Sequence, residues 1–326
     1  MNKLIGFGAV LALVAACDQR PSGDDTVEPP TQEPVGEEPV VGTRQVTVGD
    51  LNSALYNPDA TNPLRVRVSL DGGVQQLQVY GVYVDGRIAG LPYESYSFQD
   101  GGDSRFFRAF AAESSDGSVN AAVVSDGGQF NRFFGGAVAN QENYSAPSGG
   151  LGRYRGDYVG LVNFGDPAGE GPEGAGSGVP TESYAITGDV FILADFTEGA
   201  VNGEIFNREF EAAAAGYLPT GAEGDYELPN IVLVVGDIAS NGSFTGGAEI
   251  TVDGQFVNVG SYGGLFGGTN ATSVAGLTRF GTGFLGVAEI ASPTAPGGVI
   301  LVPLGNGNEI EHGIFVLDST GPFTAD

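Results

Sequence analysis

From residue 44 onward the chain is a succession of short apolar runs broken by glycine and acidic turns, the pattern of strands rather than helices. Residues 77–84 read as a strand, Asp85-Gly86 as a two-residue hairpin turn, and residues 87–89 as the return. Further runs at 93–98, 106–111, 119–124 and 130–137 are separated by turns such as Asp126-Gly127-Gly128. Residues 44–149 therefore predict a small, mostly antiparallel, β-rich unit. A polar stretch between Gln141 and Gly152, containing Pro147 and Gly149-Gly150, marks its boundary.

The second half alternates more regularly. Tyr184, Ile186, Val190, Ile192 and Phe196 fall at even spacing, with Thr187, Asp189 and Asp195 on the opposite face beside Phe191 and Leu193. One face is apolar and the other mixed, as in a sheet closed around a core. Thr197-Glu198-Gly199 turns the chain into Val201, Gly203 and Ile205, and Asp253-Gly254 joins Ala248, Ile250 and Val252 to residues 256–259. With runs at 154–164, 231–235, 273–280 and 299–302 the count reaches about eight. The expected fold is all-β: the small unit, followed over residues 150–326 by an eight-stranded antiparallel β-barrel filled by its own side chains. Residues 209–215 are the one segment that reads as a short helix.

The start of the chain follows other rules. Asn2 and Lys3 precede an uncharged apolar run from Leu4 to Ala16, which describes a secretory signal over residues 1–16 and is too short for a membrane span of about 20 residues. Its end, Leu13-Val14-Ala15-Ala16-Cys17, resembles the bacterial lipobox, in which the cysteine is acylated and becomes the mature N-terminus. Two or more acyl chains anchor stably where one does not. The expected location is the cell envelope, at the outer membrane or cell surface, with inner-membrane retention as the alternative raised by Asp18. Residues 17–43 interleave Pro21, Pro29, Pro30, Pro34 and Pro39 with seven acids, the composition of a disordered, charge-extended tether.

Composition narrows the function classes. In 326 residues, 13 basic side chains face 40 acidic ones, a formal charge of −27, which argues against nucleic acid because duplex binding rests on Lys and Arg neutralising phosphates. Such a charge also repels an anionic membrane surface and favours basic partners, cations or saline solvent. One cysteine and one histidine exclude an internal disulfide and an all-Cys/His zinc site, and leave a Ser-His-Asp or Cys-His nucleophile nothing but His312 to rest on.

Three stretches resemble the β-barrel domain of the transferrin-binding protein B family of Gram-negative surface lipoproteins. Gly152-Arg153-Tyr154-Arg155-Gly156-Asp157-Tyr158 is similar to the barrel's opening strand. Ala194-Asp195-Phe196 through Gly199, Val201, Gly203 and Ile205 is similar to its Asp-Phe, turn, Gly-x-Ile hairpin. Gly242-Ser243-Phe244-Thr245-Gly246 with Ala248, then residues 264–271 and Val274-Ala275-Gly276, resembles its late strand pair, with Gly268-Thr269 where Gly-Pro is common. The resemblance covers residues 150–280, and the last 40 or so residues depart from the pattern. It implies one lobe, a smaller handle domain followed by the barrel, and a binding role without carrying transferrin specificity over.

Candidate site residues are few. Tyr93, Tyr96, Phe98, Arg105, Phe106 and Phe107, near Arg108 and Phe110, form an aromatic and arginine cluster of the kind that dominates protein-binding hot spots. The alternation at 96 and 98 fits core packing equally, and exposure of Tyr96 or Phe107 would separate the two. His312, beside Glu309 and Glu311, reads as a surface or strand-edge histidine, since no second soft ligand exists. Arg155-Gly156-Asp157 reads as a strand start. Acidic turns such as Asp100-Gly101-Gly102-Asp103 lack a calcium-loop pattern. No catalytic, cofactor or metal residues are assigned, and Cys17 is the lipidation site. The leading expectation is a lipid-anchored, non-enzymatic protein that captures a protein or a metal- or nutrient-carrying ligand through handle and barrel loops. The alternatives are a structural envelope lipoprotein and a glycan-active enzyme using paired carboxylates.

Overall fold

The computed structural model describes residues 44–70, 73–85, 88–130, 132–163, 182–210, 227–252, 254–281, 283–291, 299–303 and 309–321. The expected signal, lipidation site and tether lie outside them. Every regular element among the described residues is a strand, arranged in two sheets and a separate hairpin.

The first sheet contains β1 (Arg44–Gly49), β2 (Leu51–Tyr56), β3 (Leu64–Leu70), β4 (Val74–Val82), β5 (Glu94–Phe98), β6 (Phe107–Glu113), β7 (Val119–Asp126) and β8 (Gly135–Gln141). Their order is β1-β8-β7-β6-β5-β4-β3-β2, antiparallel throughout. Its two edge strands are consecutive in the chain, and Asp50 joins them. The Asp50 N–H donates to the Gly135 carbonyl at 2.8 Å on the β8 side, while its carbonyl accepts from Ser69 at 2.9 Å beside β3. Gly49, at a φ of +74°, makes the bend, so the sheet curls almost into a barrel of its own. Leu64, Val66, Val68, Tyr80, Val124 and Val138 fill it.

The second sheet is the eight-stranded barrel. After β9 (Tyr144–Ser145) come β10 (Leu151–Asn163), β11 (Tyr184–Asp195), β12 (Ala200–Phe210), β13 (Glu227–Leu228), β14 (Ile231–Ile238), β15 (Ser243–Val252), β16 (Gln255–Thr269) and β17 (Ser273–Phe280). The hairpin of β18 (Val287–Ala291) and β19 (Val299–Pro303) precedes β20 (Ile310–Asp318). The closed circuit runs β11-β10-β20-β17-β16-β15-β14-β12 and returns to β11 through the β11–β12 pairing. Aromatic side chains fill the interior, and facing glycines make room for them. Gly276 is opposite Phe315 in register, where a Cβ would lie 2.0 Å from the ring, and a Cβ on Gly313 would lie 1.9 Å from the Tyr158 hydroxyl.

A third apolar cluster joins the two sheets. Phe110, Ala112, Ala121, Val123, Ala137 and Ala139 from the outer face of β6–β8 pack on Val159, Leu161, Ala185, Leu265, Ala275, Leu277 and Ile314 of the barrel wall. Strands β6, β7 and β8 are thus covered on both faces, which is why they read as continuous runs of Ala and Val rather than as alternating strands. The small side chains let the sheets approach closely.

Several expectations are corrected. The strand read over 77–84 ends at Val82, and the next partner of β4 is β5, through Gly81↔Ser97 and Val82↔Tyr96, while Gly86 and Arg87 of the expected hairpin lie outside the described residues. Asp85 is instead drawn inward to pair with Arg108. Strands β1, β2 and β3 went unread in the sequence. The run at 130–137 begins too early, because Phe130 takes a φ of +56° in a turn and β8 starts at Gly135. Glu209 and Phe210 are the end of β12 rather than a helix start, with 211–215 outside the described residues. The run at 299–302 belongs to the β18–β19 hairpin, and the eighth barrel strand is β20.

Candidate functional site

The aromatic cluster is placed by the β5–β6 pairing, which sets Tyr96 opposite Ala109 and Phe98 opposite Phe107. Alternation then decides each fate. Tyr96 and Phe107, at 0% and 1% exposure, point into the first sheet's core. The Tyr96 ring meets Tyr56 edge-on at 6.2 Å and its hydroxyl donates to Glu94. Tyr93 is buried between the sheets and its hydroxyl donates to the Asp157 carbonyl at 2.6 Å. Phe98 and Phe106 are half-buried, against Tyr80 at 5.6 Å and Tyr83 at 6.1 Å. The Arg105 guanidinium donates to Asp126 at 2.6 Å, Arg132 O at 2.7 Å and Gln129 O at 2.9 Å, and lies over the Phe134 ring at 4.6 Å. Both residues that had to be exposed for a contact surface are buried, so Tyr96 and Phe107 are core, while Phe98, Arg105 and Phe106 are half-buried. Arg108 is likewise buried, paired with Asp85 and donating to the Ser183 carbonyl at 2.5 Å. Arg155-Gly156-Asp157 lies inside β10, as its strand spacing indicates.

His312 is not a surface residue. It is 4% exposed on β20, between Leu161 and Arg279 in register, on the side of the barrel wall that faces the first sheet. Gly49 and Gly135 make room for the ring: a Cβ on the first would lie 2.7 Å from Nε2 and one on the second 3.2 Å from Nδ1. Neither ring nitrogen has a hydrogen-bond partner among the described residues. Burial, reinforced by the Arg279 charge, pushes the imidazole down to about 3, so it is neutral. Nearby, burial raises the Asp50 carboxyl against the opposing pull of the Gly135 N–H and Arg279. Burial also pushes Asp126 up to about 6, against the Phe134 N–H and Arg105. The seam therefore holds a neutral imidazole with two carboxyls raised by burial close by.

A second polar knot closes the barrel interior. Arg208 donates to Glu311 at 2.5 Å with both side chains fully buried. Glu311 also accepts from the Tyr158 hydroxyl at 2.7 Å, and that hydroxyl lies 2.9 Å from Thr278 Oγ1. Arg208 reaches the Pro229 carbonyl at 3.0 Å, with its guanidinium over Phe280 and Phe284 at 5.9 and 5.8 Å. Burial raises Glu311, and Arg208 and Tyr158 oppose the rise. Sequence alternation missed this pair because Asn207, at a φ of +50°, bulges β12 and turns Arg208 inward where simple parity would turn it out. Among the described residues no group of three or more His, Cys, Asp or Glu side chains is arranged to hold a metal ion.

Among the apolar side chains left outward on strands are three sets. Leu55, Leu77 and Val79 share the outer face of β2–β4. Phe191 and Val235 lie on the barrel wall, and Phe256 and Val257 flank the tip of the β15–β16 hairpin. These side chains stand on paired strands, so they are presented on a fixed frame.

No protein-family model and no curated protein matches the chain. Similar solved structures include a double mutant of transferrin binding protein B from Haemophilus parasuis Hp5, at 11% identity and a TM-score of 0.42 over 88% of this chain and 46% of that one. Intact Ap-TbpB, with N and C lobes, matches at 12% identity and a TM-score of 0.41, covering 88% and 48%. The isotype 1 protein from serogroup B Neisseria meningitidis matches at 11% identity and a TM-score of 0.39, covering 89% and 45%. The chain spans about half the length of each.

Proposed function

We propose that this chain is a lipid-anchored envelope protein that captures a macromolecular or nutrient-carrying ligand on the outer faces and loops of a rigid two-sheet body. The observation that carries it is the exposure of Leu55, Leu77, Val79, Phe191, Val235 and Phe256 on strands whose opposite faces are buried. Apolar side chains held outward in groups mark interaction surfaces. The interior ion pairs, Arg108 with Asp85 and Arg208 with Glu311, are by contrast enclosed. Anchoring rests on Cys17, the one cysteine in the chain, placed directly after Leu13-Val14-Ala15-Ala16. Acylation there puts the body at the cell envelope on a tether, at the outer membrane or cell surface.

The test combines fractionation and capture. The full chain is expected in the membrane fraction, and Cys17→Ser is expected to release it. Cells displaying the full chain should retain a discrete partner from their growth medium, and this retention should fall when Leu77 and Phe256 are changed to Ser. A Cys17→Ser protein that stays with the membrane after processing refutes the anchor. Retention of nothing above background refutes the binding role.

A further inference from the structure

We propose that the tip of the β7–β8 hairpin, led by Phe130, is the contact point for a basic segment of a protein partner, one carrying Lys or Arg beside apolar side chains. This rests on the binding role proposed above and gives it a place and a partner chemistry.

Two observations single out Phe130. Its φ of +56° lies in the left-handed region, which Gly and Asn adopt readily and a bulky aromatic residue does not. Phe130 is nevertheless 65% exposed, so burial in the core does not offset that backbone. A local cost with no internal compensation marks a residue whose use lies outside the fold.

The tip is built to hold the ring still. Gln129 and Arg132 close a two-residue turn, with Gln129 N–H donating to the Arg132 carbonyl at 3.1 Å and Arg132 N–H to the Gln129 carbonyl at 3.2 Å. The Arg105 guanidinium grips the same two carbonyls, at 2.9 Å for Gln129 and 2.7 Å for Arg132. Asp126 at 2.6 Å and the Phe134 ring at 4.6 Å fix that guanidinium in turn. Phe133 closes over Gly128, where a Cβ would lie 2.3 Å from the ring. The tip therefore has its shape before a partner arrives, and pre-organisation lowers the entropy lost on binding.

Charge selects the partner. Gln129 Nε2 donates to the Asp103 carbonyl at 2.7 Å, which ties the β5–β6 loop to the tip. That loop brings Asp100 and Asp103, both exposed and with no side-chain partner among the described residues. Arg105 is neutralised by Asp126, and Arg132 is one cation against two carboxylates. An aromatic face beside carboxylates suits a cation, because the ring attracts it through its quadrupole and the carboxylates through charge-assisted hydrogen bonds. The charge of the whole chain, −27, steers basic partners in the same direction at longer range.

The alternatives fit less well. Anionic lipid would be repelled by Asp100, Asp103 and the field of the chain. A two-fold contact between copies through this tip would set carboxylates against carboxylates.

The probes are a fluorescein-labelled peptide of alternating Lys and Leu and its Glu and Leu counterpart, each titrated against the full chain in detergent, and phosphatidylcholine vesicles titrated against the Cys17→Ser chain. The Lys-Leu peptide is expected to bind, and to bind about tenfold more weakly to the D100N/D103N double variant. The E198Q/D237N variant, which removes the same charge from exposed positions on the barrel, should weaken it less than about twofold. Phe130→Asn should weaken it about fivefold or more, and Phe130→Tyr should preserve it. Because Asn accepts a positive φ, Phe130→Asn should melt at the same temperature as the unaltered protein or higher. A melting temperature several degrees lower shows that the ring serves the fold and overturns the proposal. So does unchanged affinity in Phe130→Asn, equal weakening by the two acid pairs, or tighter binding of the Glu-Leu peptide. Vesicle binding or self-association that is lost in Phe130→Asn overturns it in favour of lipid or of a second copy. If partner retention on cells survives in Phe130→Asn, this tip is not the contact while the binding role stands. If cells retain no partner at all, the binding role itself fails.

Discussion

His312 gives the sharpest quantitative prediction, because it is the one histidine in the chain and its ring is enclosed between the sheets without a hydrogen-bond partner among the described residues. Its ordinary value of 6.5 applies to the unfolded chain, and burial lowers it to about 3 in the fold. The unfolded state therefore takes up a proton below pH 6.5 that the folded state refuses. Stability from this group is fully present above pH 6.5 and falls by about 1.4 kcal/mol per pH unit until pH 3. By pH 4.5 the loss is about 2.7 kcal/mol, and by pH 3 nearly 5 kcal/mol. Asp126 works in the opposite direction. Its carboxyl is raised from 3.8 to about 6, so its contribution is complete below pH 3.8 and lost as pH rises through 6. Acidification across that window returns about 3 kcal/mol, and the raised Asp50 carboxyl acts in the same sense. The unfolding curve of the unaltered protein therefore hides the histidine.

The measurement is a difference between proteins. His312→Gln removes the titration, keeps a polar side chain in the niche and leaves Asp126 in place. Urea unfolding at pH 7.5, 6.0 and 4.5, followed by circular dichroism because the chain has no tryptophan, gives the stability of each. Whatever the substitution itself costs, the gap between the proteins should move against the unaltered one by about 2–3 kcal/mol from pH 7.5 to 4.5. The single histidine also gives one Cε1–H resonance, which should not titrate near pH 6.5. A gap that is flat with pH, or a resonance that titrates at its ordinary value, refutes the enclosed neutral ring.

Two other outcomes are expected. Removing one partner of the barrel's buried pair, by Arg208→Met or Glu311→Gln, should cost about 3–5 kcal/mol in urea unfolding, whereas Arg208→Met with Glu311→Leu should recover most of it. A single variant within about 1 kcal/mol of the unaltered protein would show that water reaches the pair. Calorimetry should show a higher melting temperature in 1 M than in 10 mM NaCl, because screening over about 3 Å rather than 30 Å removes repulsion among the excess acids. A flat or falling melting temperature would remove self-repulsion as a controlling force.

The barrel was legible because its strands keep one face to a closed interior and one to solvent over much of their length. Tyr184, Ile186, Val190 and Ile192 alternate as the sequence indicates, and Val252 pairs with Gln255 in the hairpin expected there. Legibility ends where that simple geometry ends. Strand β20 carries Glu311, His312 and Gly313 near its start, two ionisable residues and a glycine that lower any local strand signal. Each has its reason only across the register: Glu311 for Arg208, His312 for the niche at Gly49 and Gly135, and Gly313 for the Tyr158 hydroxyl. The β18–β19 hairpin, apolar and locally convincing, was counted in its place.

The aromatic cluster misled for a related reason, and the same reason points to where binding should be sought. Phe107 and Phe110, on the one strand β6, enter different cores: Phe107 faces Tyr96 and Val124 inside the first sheet, and Phe110 faces Ile314 and Leu161 on the barrel wall. A strand covered on both faces makes every aromatic residue look available in sequence and leaves none available in space. Strand β3 is the converse case. Leu64, Val66 and Val68 point inward, while Arg65 and Arg67 point out. Clean alternation marks a strand with a core on one face only, and binding is to be sought where such strands hold apolar side chains outward, as Leu55, Leu77 and Val79 do on β2–β4.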